Sequence, residues 1–213
     1  MAIAGDIHAM TIAIVRSPEG RLELNLFPWP ELSADDFFAL CAANRDLRIE
    51  RTASGEIVIM PPAGGATGNR NQRINTGLGN WTERDGTGVG FDSSTGFILP
   101  NGATRAPDAA WVRRDRLAAL SPEQKERFLP LAPDFVIELR SPSDSLAELQ
   151  AKMEEYIANG VRLGWLIDPI ERMAYLYRPG VAPKRLVGPE QLTGDPELPG
   201  FTLPMAEVWH LGW

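Results

Sequence analysis

The chain has one cysteine and two histidines among its 213 residues. One thiol cannot close an internal disulfide, and Cys41 ends the apolar run Phe37-Phe38-Ala39-Leu40-Cys41, so it reads as a buried thiol. A cysteine nucleophile needs a histidine base, and His8 and His210 both lie near the ends of the chain. The same shortage argues against a Cys/His zinc site. Positive charge is also short: 21 Lys and Arg stand against 28 Asp and Glu, a net charge of -7. Strong non-specific binding to nucleic acid rests on a basic surface, and this composition weighs against it. It leaves room for a nuclease, whose carboxylates themselves add negative charge. No apolar run approaches a membrane span, and no basic stretch with a long apolar core opens the chain, so neither a membrane segment nor a secretory signal is expected. Repeats and low-complexity segments are absent as well. The chain therefore reads as cytoplasmic.

What is present is ordinary globular material, 44% hydrophobic and 23% charged, which sets disordered and fibrous classes aside. The length suits one domain with a full core. The expected division is an N-terminal extension (1–30), a core (31–180) and a C-terminal tail (181–213) of that single domain. Strands are expected at Thr11–Val15 and Arg21–Phe27, before Pro28-Trp29-Pro30. Ser33 followed by Asp36 marks a capped helix start running through Cys41. Leu47–Arg51 and Glu56–Met60 read as strands about an Ala53-Ser54-Gly55 turn. Residues 61–68 read as a loop. Ile74, Leu78 and Trp81 then share a helical face, which Asp85-Gly86-Thr87-Gly88 breaks. Phe97–Leu99 and Ala109–Val112 read as strands around Asn101-Gly102. Ser121-Pro122-Glu123 opens another short helix.

The best-defined unit lies further on. Phe135–Leu139 is a strand, Ser141–Asp144 a turn, and Ser145 with Glu148 a capping pair for a helix that Asn159-Gly160 closes. Leu163–Ile167 and Met173–Tyr177 are the next strands, separated by Asp168-Pro169. Strand, helix, strand implies a crossover in a mixed sheet, hence an α/β (α+β) fold with a central mixed sheet flanked by helices.

Two carboxylates stand out by position. Asp108 opens a strand after Ala106-Pro107, and Glu138 sits inside an apolar strand. Strand alternation puts Ile137 and Leu139 on one face and Glu138 with Val136 on the other. A carboxylate there is costly to bury unless it is paired or binds a metal. Lys152 lies on the following helix, at the edge of the stripe Leu146, Leu149, Met153, Tyr156 and Ile157. Its stem can run along the core and return the ammonium toward the strand ends. Phosphodiester hydrolysis uses such a set: two carboxylates suit Mg²⁺, a hard cation that activates water, and a lysine orients that water or offsets developing charge. The plain reading is equally open, with Asp108 forming a turn after proline and Glu138 with Lys152 an ion pair between strand and helix.

Longer segments carry a resemblance. Arg105–Val112, Pro133–Asp144, Lys152–Tyr156 through Val161, Trp165–Pro169 and Tyr175–Pro179 are similar to the corresponding strands and helix of the Uma-two family of restriction-endonuclease-like proteins. The similarity runs from the Ser33 helix to Pro179 and implies a PD-(D/E)XK nuclease fold. In that fold a lysine often stands two residues after the glutamate, where this chain has Arg140, so the resemblance implies a lysine moved onto the helix at Lys152. It also implies Glu50, near the first core strand, as a third metal ligand beside Asp108 and Glu138. Many members carry a histidine after the Met-Pro loop; Gly68-Asn69-Arg70-Asn71 stands there instead.

The expectation is a Mg²⁺- or Mn²⁺-dependent DNA endonuclease with Asp108, Glu138 and Lys152 as its catalytic set. The alternatives are a catalytically silent module of the same fold, binding nucleic acid or a protein partner, and a hydrolase of another phosphate ester. Arg70, Arg73, Arg113, Arg114 and Arg116 either contact substrate phosphates or form a solvated surface. Gly64-Gly65-Ala66-Thr67-Gly68 lacks the Gly-Lys-Ser/Thr ending of a phosphate loop and reads as a flexible loop. Trp209 and Trp213 are expected to dock the tail on the body or on a second subunit. A homodimer would let a nuclease cut both strands; sedimentation at micromolar concentration should show it, and monomer alone would count against it.

Overall fold

The structure is a computed structural model describing residues 13–16, 22–25 and 32–212. His8, Pro28-Trp29-Pro30, Trp213, the start of the expected Thr11–Val15 strand and both ends of the expected Arg21–Phe27 strand lie outside the described residues.

The chain opens with β1 (Ala13–Arg16) and β2 (Leu22–Asn25), an antiparallel pair. α1 (Ala34–Ala43) starts at Ser33, whose hydroxyl accepts the Asp36 N–H while the Asp36 carboxylate returns to the Ser33 N–H. β3 (Arg48–Arg51) and β4 (Ile57–Met60) form a hairpin whose turn needs Gly55 at φ +91°. α2 spans Gly65–Asp85 and so begins inside the stretch that reads as a loop. Glycine-rich residues are poor helix formers; here the packed face of Thr67, Ile74, Leu78 and Trp81 holds the helix instead.

β5 (Gly88–Asp92) follows where the sequence shows only a break. β6 (Phe97–Ile98) and β7 (Thr104–Arg105) then close the turn at Asn101-Gly102. The strand expected to answer Phe97–Leu99, β8 (Ala109–Arg113), instead joins a different sheet. Ala106-Pro107-Asp108 is thus the bridge from one sheet to the other. α3 (Arg114–Ala118) and α4 (Pro122–Lys125) are short. β9 (Phe135–Leu139), α5 (Leu146–Ala158) and β10 (Leu163–Asp168) form the crossover, with β9 and β10 parallel. The Ser145 hydroxyl accepts the Glu148 N–H, and Gly160 leaves α5 at φ +102°. β11 (Met173–Arg178), β12 (Val181–Val187), β13 (Gln191–Thr193), β14 (Thr202–Pro204) and α6 (Ala206–Trp209) complete the chain.

Among the described residues two six-stranded sheets result, ordered β1-β2-β4-β3-β7-β6 and β12-β11-β10-β9-β8-β5, beside the β13-β14 hairpin. The second is mixed and central. Phe135, Ile137 and Leu139 of β9 pack on one face with Ile74, Leu78 and Trp81 of α2 and with Phe201, Val208 and Trp209 of the returning tail. Val136 packs on the other face with Leu149, Met153 and Tyr156 of α5. The alternation expected for β9 is therefore realised, and Glu138 lies on the α5 side. The β12 edge carries Pro183, Lys184 and Arg185, residues that discourage pairing with another strand.

Glycine lets β5 sit at the other edge. A Cβ on Gly88 would lie 2.2 Å from the Trp111 ring, whereas one on Gly90 would meet only Thr82 Oγ1 at 3.6 Å. Gly88→Ala should lower the free energy of unfolding by about 2 kcal/mol, and Gly90→Ala should change it far less. Urea denaturation of both variants checks this; equal effects would contradict the account of the Trp111 contact.

Candidate active site

The site forms where the bridge Ala106-Pro107-Asp108 passes between the sheets. Asp108 stands just before β8, and the β8–β9 ladder sets Ala109 opposite Ile137. Its carboxylate consequently reaches β9: Oδ2 accepts the Leu139 N–H at 2.9 Å. Glu138 is the residue before Leu139. Both carboxylates are buried, at 6% and 4% exposure. The other oxygen of Asp108, Oδ1, is held by two longer contacts, Arg48 Nη1 and Asn71 Nδ2, each at 3.3 Å. Asn75, one turn beyond Asn71 on α2, donates to the Asp108 carbonyl at 3.0 Å.

Glu138 faces α5. Its Oε1 takes the Tyr156 hydroxyl at 2.9 Å and the Lys152 ammonium at 2.8 Å. Lys152 and Tyr156 are four residues apart on α5, hence one above the other on the same side of the helix. Lys152 also lies 2.8 Å from Glu50 Oε1. Glu50 comes from β3 and is fixed at both oxygens: Oε1 accepts the Ala106 N–H at 3.0 Å, and Oε2 meets Arg105 at 3.2 Å. Arg105 bonds Glu155 at 2.6 Å, and Glu155 lies on α5 three residues beyond Lys152. Arg48 and Glu50, two apart on β3, project from the same face of that strand. Arg48 donates to the Ala106 carbonyl at 2.6 Å as well as to Asp108.

The charges are strongly interacting. Burial pushes the Glu138 carboxyl up to about 7; Lys152 pulls it down, while the Asp108 and Glu50 charges push it up again. Burial also works against ionised Glu50, but Lys152, Arg105 and the Ala106 N–H outweigh it and hold Glu50 down at about 2. Lys152 is itself disfavoured by burial, yet Glu138 and Glu50 raise it above the ordinary lysine value, so it keeps its proton. Tyr156 is pushed well above its ordinary value by burial beside the same two carboxylates and stays a hydroxyl donor.

The four site residues read from the sequence thus lie around one another: Lys152 contacts Glu138 and Glu50, and Asp108 adjoins through Leu139 and Arg48. Arg140, two residues after Glu138, points elsewhere. It pairs with the fully buried Asp168 at 2.7 Å and donates to the Asp144 carbonyl. Each of the five candidate phosphate-contacting arginines is bonded within the protein. Arg70 donates to the Val208 carbonyl, Arg73 pairs with Glu207, Arg113 with Asp115 and Arg116 with Asp134, and Arg114 donates to the Gly86 carbonyl. Arg48, Asn71 and Arg105 are the site residues that sequence reasoning passed over. Arg48 had one available signal, its alternation with Glu50 on a strand; Arg105 directly precedes Ala106-Pro107-Asp108.

Among the described residues no group of three or more His, Cys, Asp or Glu side chains is arranged to hold a metal. A hard cation such as Mg²⁺ is commonly held by only one or two carboxylates, with water and substrate completing its shell. Asp108 and Glu138 supply that kind of oxygen donor; Glu138 is raised by burial first and by the neighbouring carboxylates second, and a divalent cation would relieve that repulsion. The all-oxygen donor set fits such an ion.

This architecture defines a restriction-endonuclease-like protein. It is similar to a solved structure described as "a putative nuclease belonging to DUF820 from Anabaena variabilis ATCC 29413", with a TM-score of 0.67 at 18% identity, covering 83% of this chain and 97% of that one. The chain belongs to the Uma2 family, described as "Putative restriction endonuclease", which it matches over residues 34–206. No curated protein matches it. No helix among the described residues is long and apolar enough to cross a membrane.

The raised Glu138 carboxyl has a consequence for stability. A group whose folded pKa lies above its unfolded value contributes stability below the unfolded value, near 4.5, and that contribution is lost as pH rises through about 7. Glu138→Gln should therefore gain stability relative to the unsubstituted protein between pH 5 and pH 8, measured by urea denaturation in EDTA. A pH-independent difference would contradict a raised carboxyl at this position.

Proposed function

We propose that the protein is an endonuclease that hydrolyses phosphodiester bonds in DNA with Mg²⁺ or Mn²⁺. The observation that carries this is the meeting of two buried carboxylates, Asp108 just before β8 and Glu138 on β9, with the Lys152 side-chain nitrogen 2.8 Å from Glu138. Asp108 and Glu138 would hold the ion, which would supply Lewis-acid activation of a water and neutralise charge on the phosphate. In the reaction the water oxygen forms a bond to phosphorus and gives up one proton, one bridging P–O bond breaks, and the leaving oxygen takes up a proton in exchange.

Lys152 acts as a hydrogen-bond donor and fixed charge, because it retains its proton against two carboxylates. Its place between Glu50 and Glu138 leaves it able to steady the attacking water or the phosphoryl charge. Glu50 positions Lys152 through Oε1 and is itself clamped by Arg105 and Ala106 N–H. Tyr156 orients Glu138 by donating to Oε1. A second reading, a silent module of the same fold, is favoured by one observation: the five surface arginines that could track a phosphate backbone are bonded to the protein itself.

Plasmid cleavage by purified protein with Mg²⁺, Mn²⁺ or chelator separates these. Metal-dependent cleavage is expected, falling about 100-fold or more in Lys152→Ala and in Asp108→Ala. Cleavage that persists in both variants would refute the site. A folded protein that binds metal yet cleaves neither nucleic acids nor small phosphate esters would favour the silent module.

A further inference from the structure

The charges at the site already balance without any ion. Among the described residues, the carboxylates Glu50, Asp108 and Glu138 are met by the cations Arg48, Arg105 and Lys152. Glu155 adds one more carboxylate on the outer side of Arg105. A divalent cation entering beside Asp108 and Glu138 therefore meets a cluster close to neutral, and one resident cation has to yield.

The three cations are not equally held. The Lys152 and Arg105 side chains are each 12% exposed, with carboxylate contacts as short as 2.8 Å and 2.6 Å. Arg48 is 32% exposed and touches its carboxylate only at 3.3 Å. Its fit is also incomplete: Nε is buried without a hydrogen-bond partner, as is Oδ1 of the neighbouring Asn71. Asp108 is asymmetric in the matching way. Oδ2 is secured by the Leu139 N–H at 2.9 Å, while Oδ1 has only the two 3.3 Å contacts to Arg48 and Asn71. Oδ1 is the oxygen open to exchange, and Arg48 is the cation nearest to leaving it.

We propose that Arg48 is a resident counter-cation on Asp108 that a divalent metal displaces, and that the displaced guanidinium then binds an oxygen of the substrate phosphodiester. This rests on the metal-dependent nuclease reading. A guanidinium suits the second role, since its fork of N–H donors matches phosphate oxygens. The anchor at the Ala106 carbonyl, 2.6 Å from Nη2, keeps Arg48 beside the bridge as Nη1 gives up Asp108. The same side chain thus opposes metal binding and favours substrate binding, because its charge repels the ion and attracts the phosphate.

The test uses the whole chain and Arg48→Gln. Calorimetric titration with Mn²⁺ alone should show the variant binding the ion about fivefold more tightly, the factor lost with one partly exposed charge pair. Fluorescence anisotropy of a labelled DNA duplex, with Ca²⁺ in place of Mn²⁺, should show the variant binding about fivefold more weakly. Mn²⁺ affinity that is unchanged or weaker overturns the proposal, and so does unchanged duplex affinity. Opposite shifts in a protein that cleaves nothing would support the exchange while the nuclease reading fails. DNA cleavage by the unsubstituted protein, with identical Mn²⁺ titrations for the two, would overturn the exchange alone. An unsubstituted protein that binds no Mn²⁺ overturns both. If circular dichroism shows Arg48→Gln unfolded, Arg48→Lys is read by the same signs, because a point charge cannot hold Ala106 and Asp108 as a fork does.

Discussion

Lys152 joins two buried carboxylates that come from different sheets. Glu50 rides on β3 of the N-terminal sheet and Glu138 on β9 of the central one; the ammonium from α5 lies 2.8 Å from both. Almost everything else at the site depends on that contact. Two carboxylates could not be buried side by side as anions without a cation between them. Arg105 and Glu155 extend the contact into a ring that returns to α5, so the helix, the bridge at Ala106 and β3 are tied together by charge. Removing one partner from such a buried set is more damaging than never having had it, because the others are left charged and unpaired.

The ring also explains why the buried charges gather at the bridge between sheets. Ala106 offers its N–H to Glu50 and its carbonyl to Arg48, and Asp108 then turns to accept the Leu139 N–H. Pro107 stands between them, donates no hydrogen bond and fixes its own φ. The backbone there is satisfied almost entirely by groups that also set the electrostatics. Position and charge are the same interactions at this site.

The rest of the molecule supports that arrangement from behind. α2 carries Asn71 and Asn75 to Asp108 on one side, and its Ile74, Leu78 and Trp81 anchor the tail on another. Arg70 and Arg73 tie α2 to the tail segment through Val208 and Glu207. These arginines act as fasteners. Arg140 does the same at the end of β10, where it pairs with Asp168, while the lysine beside Glu138 comes from α5.

Periodicity alone made β9, α5 and β10 legible, because an apolar run, a capped helix with an i, i+3, i+4 stripe and a second apolar run are local patterns. The cost of a glutamate inside such a strand marked Glu138, and the edge of the α5 stripe marked Lys152. Other parts were not legible for identifiable reasons. β5 is glycine-rich and pairs with β8, where the Trp111 ring leaves no room for a Cβ at Gly88, a contact made from another strand. The start of α2 has glycines that local propensity reads as loop, and packing overrides them. β6 and β8 look like partners across Asn101-Gly102, but sheet membership is decided by long-range pairing, and the chain crosses between sheets at Ala106-Pro107-Asp108. Pattern by itself determined the mixed α/β class and marked Asp108, Glu138 and Lys152 as candidates, whereas Glu50 was reached only through the resemblance. Only the tertiary structure decided that Glu50 holds Lys152, that Arg48 lies on Asp108 and that the surface arginines are engaged elsewhere. Those are contacts between segments far apart in sequence, and no local spacing encodes them.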